Sequence, residues 1–484
     1  MENAIHLSDN GYNFLSYYLT ELYGERGKAK HNIIRYLYSD EFRAKCKNPN
    51  SVESIPELSV DQIKNLILRE NHFKMVADKL VSDYTELEKQ NKLTKELELE
   101  IGGVFGVCPG PLRYEDRLFP HVVDFWVKSM EEENEILKSV HEKPNVVNLM
   151  VRTMIDHLRK GQIYEHDGRY ILSQGYARNY FRGERAYYGK TKASMFRNLS
   201  EDANIAKAQE LIREIKIIDF AIWLNTIDSI KNWPYSDIFH GAIAQHYGME
   251  TNVIDVTSDI MVALFFACCK YDKTKKQWLP LCKSDFEFAD SDKDIAKLGG
   301  DSRYGVLFAM PADVSNLGRV EQPEDFHVTE VTPIGIQPFL RCPYQSAYII
   351  ESAESYDMYK DLNFAKVKFR HTEEFCRYIY DEMDEGRKIY PEENTQSMER
   401  IIKRIKDSKE YSLKAFNIAL QQLEIANNKK EDMEIRLQQL GYKKEENIQW
   451  ANEVEMSDVS NLALSLKYLN ENNINPVFRI QFSI

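Results

Sequence analysis

The chain has 484 residues, 43% of them hydrophobic, which is enough apolar material for two or three cores and therefore for several domains. Its 76 acidic side chains outnumber 63 basic ones, and the net charge of −13 argues against charge-driven nucleic-acid binding over the whole surface. Seven cysteines, an odd number with no paired spacing beyond the adjacent Cys268 and Cys269, argue against a disulfide framework and a zinc site and point to a reducing compartment. Met1 to His6 has no basic segment leading into an apolar one, and the longest apolar run, Ile260 to Cys269, is far short of the roughly 20 residues of a membrane helix. A soluble, cytoplasmic protein with no membrane partner is expected.

Residues 1–160 read as a helical N-terminal module. Leu58 to Glu70, Phe73 to Leu97, Phe125 to Lys143 and Val146 to Arg159 mix apolar and charged residues at helical spacing. Ser59 suits a helix start, and Pro144-Asn145 divides the last two segments. The run Gly102 to Pro111 lacks the Lys-Ser/Thr and the leading hydrophobic strand of a phosphate loop, so it reads as a connection between helices. With no catalytic motif, this module is expected to regulate, bind a partner or present substrate.

The aromatic run Tyr176 to Phe181 is a strand signal, and Gly183 reads as its abrupt stop, leaving Arg182 at the edge. Arg182 then either holds an anionic ligand or pairs with Asp255 or Glu184. Just beyond it, Arg185, Lys190, Lys192 and Arg197 interleave with Tyr187, Tyr188 and Phe196, a pattern that suits a phosphate-bearing or single-stranded substrate or else a solvated loop. Some sixty residues later comes Gln245-His246-Tyr247-Gly248-Met249-Glu250-Thr251-Asn252-Val253-Ile254-Asp255-Val256-Thr257-Ser258. Its part Asn252 to Val256 is β-branched and apolar, and Ile260 to Ala267 switches to the spacing of a buried helix, so Asp255 and Thr257 stand at a strand-to-helix junction. Asp255 is either a functional carboxylate or the cap of a helix starting near Ser258 or Asp259. His246 is either a substrate-orienting group or a core or capping histidine, and Thr251 is expected to fix the turn after Gly248.

Residues 271–302 form a polar insertion that reads as a loop or lid. Strand signals resume at Tyr304 to Met310 and Val328 to Ile336. From Met398 to Leu440 the chain reads as long helices with an amphipathic stripe through Ile401, Ile402, Ile405, Phe416, Ala419, Leu420, Leu423, Met433, Leu437 and Leu440. Such a stripe packs within its own chain or serves self-association or a regulatory partner. Pro476 to Ile484 is strand-like and is expected to add an edge to the sheet or to a partner.

Phe181-Arg182-Gly183, the Gln245 to Thr257 stretch with the trailing Ala263-Leu264-Phe265-Phe266-Ala267, and Pro338 to Ile349, where Arg341 and Gln345 open an apolar strand, together resemble the FRG domain. Thr372 to Tyr390 with Pro391-Glu392 is similar to the helix and proline that close it, so the resemblance covers residues 165–405 and leaves residues 406–484 as a helical C-terminal module with a terminal strand. It implies an α+β fold: an ADP-ribosyltransferase-like mixed sheet flanked by helical modules. It further implies NAD as substrate, no metal, and transfer of ADP-ribose to a macromolecular acceptor, protein or nucleic acid, by a bacterial toxin or anti-phage defence effector. On that pattern Arg182 holds the pyrophosphate, Tyr187 and Tyr188 stack on the nicotinamide, Thr257 and Ser258 fix the ribose, and His246 and Arg341 line the site. Gln345 stands where the pattern has a glutamate; it can orient a ribose hydroxyl but cannot supply negative charge, which leaves Asp255, Glu351 or Glu354 to supply the carboxylate. The alternative implied by a site that binds without turnover is a nucleotide- or phage-sensing module.

Overall fold

A computed structural model describes residues 52–94, 97, 163–166, 169–172, 179–231, 240–272, 274–286, 300–311, 329–334, 337, 339, 341–361, 363–390, 396–462 and 474–476. The expected helices at 125–143 and 146–159, the glycine-rich run at 102–111 and residues 477–484 lie outside the described residues. In chain order the strands are β1 (Glu57–Leu58), β2 (Ile163–His166), β3 (Arg169–Leu172), β4 (Asn179–Glu184), β5 (Val253–Thr257), β6 (Cys269–Asp272), β7 (Gln277–Pro280), β8 (Tyr304–Pro311), β9 (Thr332–Pro333), β10 (Ala347–Glu351), β11 (Ala365–Arg370), β12 (Glu410–Ser412), β13 (Lys443–Glu445) and β14 (Ile474–Pro476). The helices that matter below are α1 (Val60–Lys89), α2 (Ala203–Leu224), α3 (His240–His246), α4 (Ile260–Cys268), α5 (Arg341–Tyr344), α6 (Glu373–Glu382), α7 (Gln396–Asp407), α8 (Leu413–Gln422), α9 (Lys430–Gln439) and α10 (Glu453–Leu462).

The fold is mixed α+β around a seven-stranded mixed sheet of order β1-β11-β8-β4-β5-β10-β9. Its pairs are antiparallel except β1 with β11. The apolar run Val306 to Met310 becomes the interior strand β8, where Val306, Leu307, Phe308 and Met310 are buried; a strand flanked on both sides and covered above and below has no polar face to alternate. Helix α4 is apolar throughout for the same reason, and it lies across β4 and β8.

The position of α4 explains Gly183. A Cβ there would stand 1.7 Å from the Ala263 carbonyl oxygen of α4, so glycine is the residue that lets helix and strand approach. The expectation that Gly183 ends the strand is therefore corrected: β4 continues through Arg182 and Gly183 to Glu184, pairing Gly183 with Leu307 and Glu184 with Val306. Asp259, rather than Asp255, caps α4, its carboxylate accepting from the Met261 amide at 2.9 Å.

The all-helical reading of residues 1–160 also needs correction, because Glu57 and Leu58 form an edge strand beside β11. A strand of two residues is too short for any periodicity to reveal. Ser59 does start a helix through a capping box, its Oγ accepting from the Gln62 amide at 3.2 Å while Gln62 Oε1 accepts from the Ser59 amide at 2.8 Å. The two segments expected beyond it are one helix, α1, whose Ile63, Leu66 and Ile67 join the main core.

The polar insertion begins with a hairpin: β6 and β7 pair, and the Trp278 ring packs against Phe265, Phe266 and Tyr390, with centroids 5.1 Å, 5.8 Å and 5.2 Å away. The expected long C-terminal helices are shorter ones, α7, α8 and α9, broken by β12 and joined by the β12–β13 pair. Their stripe packs within the chain: Ile401, Ile402 and Ile405 enter the main core, and Phe416, Ala419, Leu420, Met433 and Leu437 bury against Leu211, Ile212, Ile215 and Ile218 of α2. Residues of β14 add an edge to β3. Among the described residues no helix is long and apolar enough to cross a membrane.

Candidate functional site

Strands β4, β5 and β10, which carry or immediately follow the three sequence motifs, lie side by side. β5 and β10 pair along their whole length, Ala347 with Thr257 through to Glu351 with Val253. β4 and β5 register only at Phe181 and Thr257, and beyond that pair they splay. The Arg182 guanidinium bridges the opening, donating from one Nη to the Asp255 carbonyl oxygen at 2.8 Å and from Nε to Glu184 Oε1 at 3.2 Å. It thus satisfies a β5 carbonyl that the diverging strand leaves without a ladder partner.

Glu184 is the hub of the buried network beneath Arg182. Its carboxylate accepts from Thr191 Oγ1 at 2.8 and 2.9 Å and from the Tyr359 hydroxyl at 3.2 Å. Asp357 fixes the same loop by accepting from the Thr191 amide at 3.0 Å. Burial and the Glu184 charge push the Tyr359 phenol well above its ordinary range, so it remains a hydrogen-bond donor.

Asp255 lies mid-strand opposite Ile349. One oxygen, Oδ2, accepts from Gln245 Nε2 at 2.6 Å, and Gln245 is held in turn by the buried Thr251 hydroxyl. Among the described residues the other oxygen, Oδ1, is buried without a hydrogen-bond partner, and so is Nε2 of His246, whose side chain is also hydrogen-bonded to Gln345. Burial lowers the His246 pKa against the pull of Asp255, so the imidazole is neutral at pH 7. Two orphaned polar atoms of this kind mark a place where a ligand or water completes the bonding.

Gln345 is buried, its backbone carbonyl accepting from Thr257 Oγ1 at 2.7 Å and its Nε2 donating to the Ile389 carbonyl at 3.3 Å. Thr257 Oγ1 also accepts from the Asp259 amide at 3.0 Å, so its hydroxyl ties the end of β5 to the start of α4. The Ser258 amide donates to the Ser346 carbonyl at 3.2 Å, and its side chain bonds Tyr348. Arg341 clamps three elements: it donates to the His246 carbonyl at 3.1 Å and to Glu399 at 2.7 Å, and it lies 4.2 Å above the Tyr247 ring. Tyr187 is 2% exposed and meets Tyr359 edge-on at 5.2 Å, whereas Tyr188 is half-buried with its hydroxyl accepting from Arg185 Nε at 3.2 Å. Phe196 is also in the core, so two of the three rings interleaved with the basic residues face inward. Glu351 and Glu354 are exposed, Glu351 at the far end of β10 opposite Val253.

Sequence reasoning missed Glu184 as a hub, and with it Thr191, Asp357 and Tyr359, because these meet through separations of up to 175 residues. It also missed Tyr390, whose phenol bonds Gln345 and whose ring lies 5.5 Å from the Arg341 guanidinium. Elsewhere, Cys268, His371 and Cys376 bring their ligand atoms within 4.8 Å of one another, all buried. His371 Nε2 faces the Arg185 carbonyl at 3.1 Å; a proton there leaves Nδ1, 3.6 Å from Cys376 Sγ, free to accept or to ligate. This donor set suits a soft ion such as zinc, and linear spacing gives no sign of it.

Residues 177–276 match the family model of the FRG domain. No curated protein and no solved structure matches the chain. The matched residues take in β4, β5 and the helices between and after them, and they end before β8 and β10, so Arg341 and Gln345 lie outside the match.

Proposed function

We propose that the opening between β4 and β5 is an ADP-ribosyltransferase-like site that takes NAD as substrate and transfers ADP-ribose to a macromolecular acceptor, protein or nucleic acid. The observation that carries this reading is the buried, unpartnered Asp255 Oδ1 beside the neutral His246, on the residue whose backbone carbonyl holds the Arg182 guanidinium. A carboxylate of this kind supplies the negative charge that the neutral Gln345 lacks. Arg182 offers the pyrophosphate the guanidinium donors that Glu184 and Asp255 do not engage. Tyr188, the half-buried ring, is the better placed of the two tyrosines to meet the nicotinamide.

In the transfer, the bond between ribose C1′ and the nicotinamide nitrogen breaks and its electron pair leaves with nicotinamide. The acceptor nucleophile forms the new bond to C1′ and gives up its proton to Asp255 or His246. Asp255 also stabilises the positive charge that develops on the ribose. Thr257, Ser258 and Gln345 shape the wall that orients the ribose.

A second reading, a nucleotide-sensing module without turnover, draws on one observation: Arg182 and Thr257 already have internal partners. Labelled NAD incubated with the protein and a cell lysate separates the two. Nicotinamide release with label on protein or nucleic acid, lost in Asp255→Asn, supports the transferase. Tight NAD binding by a folded protein without release supports the sensor.

A further inference from the structure

A polar cavity of about 300 Å³ is walled by α2, by Met249 and Glu250 ahead of β5, and by Lys406, Lys409, Leu440 and Tyr442 of the C-terminal part of the chain. Its wall carries Arg213, Lys216, Lys406 and Lys409, with Glu250 the one acidic residue among the described residues lining it and Tyr442 at its side. Four cations against one carboxylate in a chain of net charge −13 is a local reversal of sign. The cations come from separate elements: Arg213 and Lys216 sit on one face of α2, Lys406 on α7, and Lys409 in the link to β12.

Each cation is held in place yet keeps donors to spare. Arg213 pairs with Glu250 at 3.0 Å and donates to the Arg197 carbonyl at 2.9 Å. Lys216 donates to the Glu410 carbonyl at 2.5 Å, Lys406 to the Gly248 carbonyl at 3.0 Å, and Lys409 lies 4.3 Å above the Tyr442 ring. An ammonium has three donors and a guanidinium five, so each retains at least two for a ligand. Burial brings Lys216 down to about 8, with Lys409 adding to the shift, against the opposing pull of Asp219 and Glu410.

We infer that this cavity binds a small molecule through a diphosphate group. The size suits a compact ligand and not a polymer, and four cationic residues lining one cavity match the charge of a diphosphate better than that of a monoanion. The inference stands apart from the proposed transfer reaction, although the pocket reaches the motif loops: Lys406 holds Gly248, and Arg213 holds the Met195 and Arg197 carbonyls.

The test is calorimetric titration of the full chain with inorganic pyrophosphate, comparing wild type, Lys406→Gln/Lys409→Gln and Arg182→Ala. Lys406 and Lys409 are exposed, so their replacement leaves the core intact, and Lys409→Gln alone serves should the double variant melt early. The inference predicts a pyrophosphate site that the double variant weakens by about tenfold or more and that persists in Arg182→Ala, in which only binding at the proposed NAD site is lost. It is overturned by a wild type that does not bind pyrophosphate, by binding that the lysine variants leave intact, or by binding that disappears with Arg182→Ala.

Discussion

The Arg182 guanidinium lies 2.8 Å from the carbonyl oxygen of Asp255, across the gap that opens between β4 and β5 beyond the Phe181 and Thr257 pair. The side chain stands in for a missing rung of the sheet. The same residue is therefore both a structural plug and a donor of the proposed NAD site: Nε and one Nη are engaged by Glu184 and Asp255, and the remaining guanidinium donors can meet a ligand.

Gly183→Ala is expected to unfold or severely destabilise the protein. The added Cβ meets the Ala263 backbone carbonyl at 1.7 Å, and backbone on both sides must shift because no flexible side chain can yield. Overpacking with backbone displacement costs on the order of 3 kcal/mol or more, to be read from denaturant unfolding of the variant against wild type. A melting curve identical to wild type would mean that α4 and β4 do not approach as described.

Gln345→Glu restores the acid of the ADP-ribosyltransferase pattern, yet it is expected to destabilise the protein and not to improve turnover. Gln345 Nε2 donates to the Ile389 carbonyl at 3.3 Å, and a carboxylate would leave that buried carbonyl facing another acceptor. The cost is about 1–3 kcal/mol. Thermal melting together with nicotinamide release checks both halves of the expectation.

Glu214→Gln is expected to stabilise the protein in a pH-dependent way. Burial first, and Glu210 second, raise the Glu214 carboxyl from 4.5 to about 7. A raised carboxyl favours the protonated form in the fold, so its contribution is fully present below the unfolded value of 4.5 and is lost as the pH rises through about 7. The variant should match wild type near pH 4.5 and exceed it at pH 8 by on the order of 3 kcal/mol. Melting temperatures across that range decide it; a gain that is constant with pH would contradict the assignment.

Much of the central sheet was legible in sequence where one physical signal dominated. The apolar run at Val306 to Met310, the β-branched residues of β5 and the all-apolar α4 needed no long-range information, because burial on every side imposes its own composition. Gly183 misled, because a glycine that permits a helix to approach looks the same in sequence as one that ends a strand. Asp255 and Asp259 are four residues apart, and the choice of which caps α4 depends on where the strand stops. The insertion hid a hairpin because Trp278 is its main apolar anchor, and the rings it packs on come from α4 and Tyr390. Within the candidate site, Arg182, Asp255 and Gln345 are legible as candidates because each stands in a short motif. The Glu184 network was not, since an acid beside an arginine in sequence does not reveal that Thr191 and Tyr359 converge on it.

The most direct measurement is nicotinamide release from NAD by wild type, Asp255→Asn and Arg182→Ala, with lysate as acceptor and folding verified for each. Asn keeps an oxygen to accept from Gln245 while removing the charge, so the account predicts that kcat falls by about 100-fold or more with little change in KM. Arg182→Ala should raise KM for NAD as well as lower kcat. Release that is unaffected by Asp255→Asn, or a folded wild type that binds NAD and never releases nicotinamide, would contradict the transferase reading.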